Sequence, residues 1–226
     1  MDSPELSFDT IEYPEGNDRA LYEGSTKAGV PWGIGILRMK NGDKYIGCFE
    51  NDLYNGFGKL KYSKNDTNDR KIYIGEFKNG KRQGKGKFEW TSGEIFEGEY
   101  TNDSRNGFGR QLLANGSIYE GNFEDGQRSG NGTLVWLNGD VYVGNFKNDV
   151  RNGNGTYFYN ASKSAVTYKG EFKDGKSHGY GIQYWRNGER YEGNWEKGLR
   201  HGFGTLISAN GSIIYRGEWK NGTLVN

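Results

Sequence analysis

An all-β fold, an elongated single-layer antiparallel sheet of stacked β-hairpins, is what this sequence predicts, and three observations carry the prediction. Glycine supplies 38 of 226 residues, beside 16 Tyr, 12 Phe, 6 Trp and only 3 Pro. An aromatic two residues ahead of a glycine recurs at Tyr22, Tyr45, Tyr73, Phe96, Tyr119, Tyr142, Tyr168, Tyr191 and Tyr215, at spacings of 23 to 28. Around each of these, apolar and glycine residues fall at alternate positions, which is the period of an extended strand.

Counting each aromatic as position 0, position 2 is glycine in all nine units, from Gly24 and Gly47 to Gly193 and Gly217. Position 4 is aromatic in eight: Phe49, Phe77, Tyr100, Phe123, Phe146, Phe172, Trp195 and Trp219, with Thr26 the exception. This is the first strand of each hairpin, with one face of aromatic-Gly-aromatic. Positions 11 and 13 give Gly-x-Gly eight times, from Gly33/Gly35 to Gly202/Gly204, followed by apolar pairs such as Leu37/Met39, Phe88/Trp90 and Leu134/Trp136. This is the second strand. Asn41-Gly42, Asn115-Gly116, Asn138-Gly139 and Asn187-Gly188 supply the turns into the next unit. Glycine in a strand costs roughly 0.5–1 kcal/mol relative to Ala, and here it makes room for neighbouring rings to lie flat across the strands. Extra residues near Lys64–Arg70 and Asn160–Val166 fall between units, where they lengthen turns.

The two ends differ. Residues 1–21 form an N-terminal cap segment, in which Leu6–Tyr13 has the apolar and aromatic content of a strand able to cover the first edge. The array occupies 22–226 as eight full units and a terminal half-unit, Tyr215 to Asn226, without a second Gly-x-Gly strand. That end is expected to dock a partner or a second copy of the chain by strand addition, through Tyr215, Trp219, Leu224 and Val225.

At these residues the chain resembles the MORN repeat family, whose unit reads approximately Y-x-G-x-[FW]-x-x-G-x-x-x-G-x-G. The run from Tyr119 through Gly121, Phe123, Gly126 and Gly130 to Gly132 matches it throughout. The resemblance implies stacked hairpins. It also implies one of two settings: beside a catalytic domain such as a lysine methyltransferase or a phosphatidylinositol-phosphate kinase, or as a nearly pure array in cytoskeletal and ciliary proteins such as radial-spoke heads. The second fits a chain whose whole length is repeat. The expected function is therefore a non-enzymatic scaffold or adaptor holding other proteins in a cytoskeletal, ciliary axonemal assembly. The expected location is the cytoplasm and cytoskeleton, at the cilium, axoneme or basal body. The alternatives are a peripheral phosphoinositide-associated adaptor and a regulatory subunit of a separate enzyme.

Charge and chemistry narrow the classes further. Thirty basic and 29 acidic residues give +1, so no global field draws nucleic acid. No segment approaches the roughly 20 apolar residues of a membrane span. No cofactor, metal or catalytic residue is expected. Gly170-Glu-Phe-Lys-Asp-Gly175-Lys176-Ser177 fits the literal phosphate-loop pattern, but that loop needs a following helix and these residues occupy an ordinary unit. His178 and His201, both at position 10 and read as turn residues, lack further ligands, and Cys48 lacks a histidine partner.

Two candidate surfaces remain. Arg82, Arg105, Arg128, Arg151 and Arg200 share position 9, as an edge that could face acidic proteins or phosphoinositides, interleaved with Asp52, Asp103 and Asp149. On the face opposite the rings, position 16 begins with Arg38, Lys61 and Glu89 and then turns apolar as Leu112, Val135, Phe158, Tyr184 and Ile207, joined by Phe108, Tyr180 and Phe203 at position 12. This second set is the expected partner-docking stripe.

Overall fold

The computed structural model describes residues 5–225, so the first four residues of the cap segment and Asn226 lie outside the described chain. It divides into two compact units, 1–114 and 115–226. The first holds β1 (Leu6–Glu12), β2 (Arg19–Lys27), β3 (Val30–Met39), β4 (Lys44–Glu50), β5 (Leu53–Lys61), β6 (Arg70–Lys78), β7 (Lys81–Trp90), β8 (Ile95–Thr101) and β9 (Ser104–Leu112). The second holds β10 (Ile118–Glu124), β11 (Gln127–Val135), β12 (Val141–Lys147), β13 (Val150–Phe158), β14 (Ala165–Lys173), β15 (Lys176–Trp185), β16 (Arg190–Glu196), β17 (Leu199–Ile207), β18 (Ile213–Lys220) and β19 (Thr223–Leu224). Within each unit every strand pairs antiparallel with its neighbour in the chain, so each is a run of hairpins.

Glycine sets the register. In the first unit Gly24, Gly35, Gly47, Gly58, Gly75, Gly86, Gly98 and Gly109 stand opposite one another strand after strand. The second unit repeats the ladder from Gly121 and Gly132 to Gly204 and Gly217. A ring lies over each pair: a Cβ added at Gly58 would sit 2.5 Å from Tyr45 Cε2 and Cζ, closer than real side chains approach. The position-0 rings from Tyr22 to Tyr191 are consequently fully or almost fully buried. They meet the position-4 rings edge to face, as in Tyr119 against Phe123 at 5.2 Å and Phe146 at 5.0 Å, the geometry ring quadrupoles favour. Where the ring is tyrosine, its hydroxyl donates to the carbonyl three residues on, as in Tyr119 Oη to Asn122 O at 3.0 Å.

The glycine at position 11 does a different job from the one at position 13. It takes positive φ, for example +62° at Gly130 and +97° at Gly153, because the ladder bulges there and one strand carries extra residues. The bulge takes position 11 out of the simple alternation that the sequence implies. Within units the strands join through two-residue turns at positions 6 and 7, both with positive φ, as at Asn102-Asp103 and Asp125-Gly126. That is the I′ pattern matching strand twist. The Asn-Gly turns between units are three-residue loops closed by a left-handed glycine: Gly42 N donates to Met39 O and Met39 N to Asp43 O.

The cap strand forms as the sequence predicts, with β1 pairing along β2 from Leu6↔Lys27 to Glu12↔Leu21. It also explains Thr26. The side chain that replaces a ring there is fully buried, and its hydroxyl joins Ser7 and Asp9 of β1.

Candidate functional site

Each unit has a ring face, built on the glycine ladder, and a back face. In the second unit pairing aligns Ile118, Val135, Val141, Phe158, Thr167 and Tyr184 opposite one another across β10 to β15. Alternation puts all six on the back face, one residue out of phase with the buried rings. Val135, Phe158 and Tyr184 are exposed by 38, 44 and 41 %. Tyr180 and Phe203 are exposed on the same face, as is Val143. Ile207 keeps its place in register, since Arg190 pairs with both Tyr184 and Ile207, but it is buried and not exposed. Leu112 lies in the first unit, half-buried opposite Ile95. That unit has its own exposed back-face residues at position 12, Phe108 together with Ile34 and Phe57, which the stripe at position 16 alone does not reveal although the same spacing carries them.

The position-9 arginines do not line a solvated edge. Each stands opposite the position-4 ring of its own unit, Phe77↔Arg82, Tyr100↔Arg105, Phe123↔Arg128, Phe146↔Arg151 and Trp195↔Arg200, so the bulge delivers it to the ring face. Arg82 lies over Tyr73, Phe88 and Tyr100, and Arg105 over Phe96 at 5.5 Å. Arg128 covers Tyr119 and Phe146 and donates Nη2 to Asp149 O at 3.0 Å, while its Nε meets the Asp149 carboxylate at 2.9 Å. Arg82 makes the same pair of bonds to Asp103. Arg200 sits 4.0 Å from the Trp219 ring centre and donates to Gly222 O. The guanidiniums of Arg82, Arg128, Arg151 and Arg200 each tie their own repeat to the turn of the next repeat. Arg19, outside the repeat, does the same for Asp52, because position 9 of the first unit is Pro31.

The structure also places the other residues singled out by the sequence. Trp219 is core, 3 % exposed, whereas Leu224 and Val225 are exposed and Tyr215 is half-buried with its hydroxyl on Val225 O. His178 and His201 lie in β15 and β17 and not in turns, since the tight turns fall at positions 6 and 7. They line a shallow hollow with Asn194, Trp195 and Glu196, where His201 Nε2 is 3.4 Å from Glu196. Among the described residues no group of three His, Cys, Asp or Glu is placed to hold a metal. Gly170 to Ser177 runs through the end of β14, the Asp174-Gly175 turn and the start of β15.

On the ring face, positions from adjoining repeats build a recurring box. A tryptophan at position 17, an acid at position 21, and then positions 9 and 15 of the following repeat come together. In the second unit this is Trp136, Asp140, Arg151 and Tyr157. Arg151 is enclosed by Trp136, Tyr142, Tyr157 and Phe172, at 5.0 to 5.6 Å, and burial pulls its pKa down. Burial alone would raise the Asp140 carboxyl. Hydrogen bonds from Lys163, Tyr157, the Asn160 amide and Asn138 hold it instead at about 2.

Comparison with known proteins bears on this architecture. The MORN repeat model matches residues 22–44, 45–67, 73–95, 96–118, 119–141, 142–161, 168–190, 191–213 and 215–224. Alsin of Mus musculus is 36% identical over 77 residues, 34% of this chain, and alsin of Homo sapiens matches equally. The match spans 5% of the length of these relatives. Among solved structures, the TCP10 domain of Danio rerio CPAP in complex with a STIL peptide aligns at 12% identity over 94% of this chain and 100% of that one, with a TM-score of 0.40. The SAS-4 TCP domain of Drosophila melanogaster, in complex with a proline rich motif of Ana2, aligns at 12% identity over 83% and 85%, with a TM-score of 0.33.

Proposed function

The chain belongs to the MORN repeat family, and from that membership we propose that it is a scaffold or adaptor for protein–protein assembly in a cytoskeletal, ciliary axonemal complex of radial-spoke type. One observation carries the binding role: the apolar row from Ile118 to Tyr184, in cross-strand register on the back face of the second unit. Single exposed apolar residues are ordinary, but an aligned row concentrates apolar area where a partner can cover it. The ciliary setting extends what the resemblance to nearly pure arrays implies. The phosphoinositide reading loses its support, because the arginines it relied on are engaged in ring stacking and turn bonds.

The test is a tagged copy, localised in ciliated cells with proximity labelling, beside a Val135→Ser, Phe158→Ser, Tyr184→Ser variant. Labelled neighbours at the axoneme or basal body, lost in the variant while its melting temperature stays within a few degrees of wild type, are expected. Plasma-membrane neighbours, or neighbours unchanged by the variant, would overturn the reading.

A further inference from the structure

The ring-face box occurs three times, and its position-15 side chain differs each time. In the first unit it is Gln111, whose Nε2 donates to Glu94 Oε1 at 2.7 Å. In the second unit it is Tyr157, whose ring stands 5.3 Å from Trp136 and 5.0 Å from the Arg151 guanidinium, and whose hydroxyl donates to Asp140 Oδ2 at 2.7 Å. In both, position 15 supplies the hydrogen-bond donor that the position-21 acid takes up.

The third box is Trp185, Glu189, Arg200 and Leu206, and its backbone repeats the second. Trp136 N donates to Asp140 O and Trp185 N to Glu189 O, both at 2.9 Å, and a left-handed Gly139 or Gly188 closes each loop. Leucine, however, carries no donor and no ring. It leaves a cleft of about 490 Å³ lined by Ser164, Trp185, Arg186, Glu189, Arg200 and Leu206. No ring partner for Trp185 and no hydrogen-bond donor to the Glu189 carboxylate is found among the described residues, whereas Trp136 and Asp140 have both from Tyr157. Arg186 is held at the rim by Lys163 O and Asn160 O, so it does not reach in to pair with the acid.

We propose that this cleft is a binding site for a tyrosine side chain presented by a partner protein, taking the place that Tyr157 fills in the preceding box. The incoming ring lies between the Trp185 indole and the Arg200 guanidinium, combining ring stacking with a cation–π contact. Its hydroxyl donates to Glu189, a charge-assisted bond that phenylalanine cannot make. Arg200 is already oriented by its contact with Trp219 and its bond to Gly222 O, so binding orders little further. The identity of the occupant as a protein rests on the scaffold reading, whereas the cleft's preference for a phenol is a property of the free chain.

The experiment therefore uses N-acetyl-tyrosinamide as the probe, titrated into the isotope-labelled full chain and followed by NMR at the Trp185 indole N–H and the Leu206 methyls. A saturable shift centred on those groups is expected, with N-acetyl-phenylalaninamide binding about tenfold more weakly for want of the bond to Glu189. Leu206→Tyr should fill the cleft from within and abolish the response. The reciprocal Tyr157→Leu should create a second responding site, at the Trp136 indole. Shifts spread over the surface, equal affinity for both amides, or a response that survives Leu206→Tyr in a folded protein would overturn the proposal. Each of these outcomes is independent of whether the labelling experiment finds protein neighbours.

Discussion

Each glycine of the ladder is a place where two backbones and one ring compete for the same volume. A Cβ at Gly144 would lie 2.5 Å from Gly155 Cα and 2.5 Å from Tyr142 Oη, and neither the paired backbone nor a ring packed on both sides can retreat. Gly211, by contrast, has a φ of +89° and nothing within 4 Å of an added Cβ. Gly144→Ala should therefore cost about 2–4 kcal/mol through overpacking, and Gly211→Ala about 1 kcal/mol through backbone strain alone. Urea denaturation of the two variants measures the contrast, and equal losses would show that ring space is not what glycine provides. Tyr100 offers the opposite case. Its hydroxyl is buried with no partner among the described residues, and burial raises its pKa. Tyr100→Phe keeps the ring and removes the stranded group, so a gain of about 1 kcal/mol is expected in the same assay.

Between one hairpin and the next, stability depends on polar joints as well as rings. Asp140 is the most enclosed of these, with a side chain 3 % exposed and Lys163 Nζ at 2.6 Å. Its carboxyl titrates near 2 in the folded chain against 3.8 as the ordinary value. A depressed carboxylate binds fewer protons folded than unfolded, so its contribution is complete above about pH 4 and is lost as the pH falls toward 2. About 2 kcal/mol should disappear over that window. Asp140→Asn should be less stable at neutral pH and show a flatter acid limb in denaturation curves taken from pH 6 to 2. A wild-type slope in the variant would assign the acid sensitivity to other groups. The position-9 arginines are joints of the same kind, and their bonds to the next turn explain why Arg82 and Arg128 pair with Asp103 and Asp149 21 residues on.

Over the whole molecule, strands contact chiefly their neighbours in the chain within each unit, as in stacked-repeat proteins generally. Damage should therefore stay local. In Gly144→Ala, loss of amide hydrogen-exchange protection should be greatest in β11 to β14 and should fade toward β18, while the first unit keeps its protection. Uniform loss through the second unit would instead indicate that its hairpins open as one. The near-neutral charge acts at this scale too. With +1 overall and the position-9 guanidiniums engaged on the ring faces, sedimentation with phosphoinositide vesicles at physiological salt should leave the chain in the supernatant.

The repeat, the hairpins, the ring-over-glycine packing, the cap strand and the places of the long turns were all legible in the sequence. Each follows from residue type and alternation over a few neighbouring positions, and nine repetitions make the pattern unmistakable. Where Arg82, Arg105, Arg128, Arg151 and Arg200 point was not legible, because the bulge beside them changes which face a side chain meets and the alternation rule contains no bulges. Nor did the sequence show that the two glycines of Gly-x-Gly serve different ends, one yielding space and the other a left-handed backbone. The cleft at Leu206 was hidden most deeply. Its residues are contributed by two repeats and the connection ahead of them, and a leucine at position 15 is ordinary until the register sets it beside Trp185, Glu189 and Arg200, where in the preceding box its counterpart Tyr157 fills the place. Short-range periodicity could be read from the chain alone; the meeting of side chains across repeats was decided by the pairing of strands, which sets distances that no spacing along the chain records.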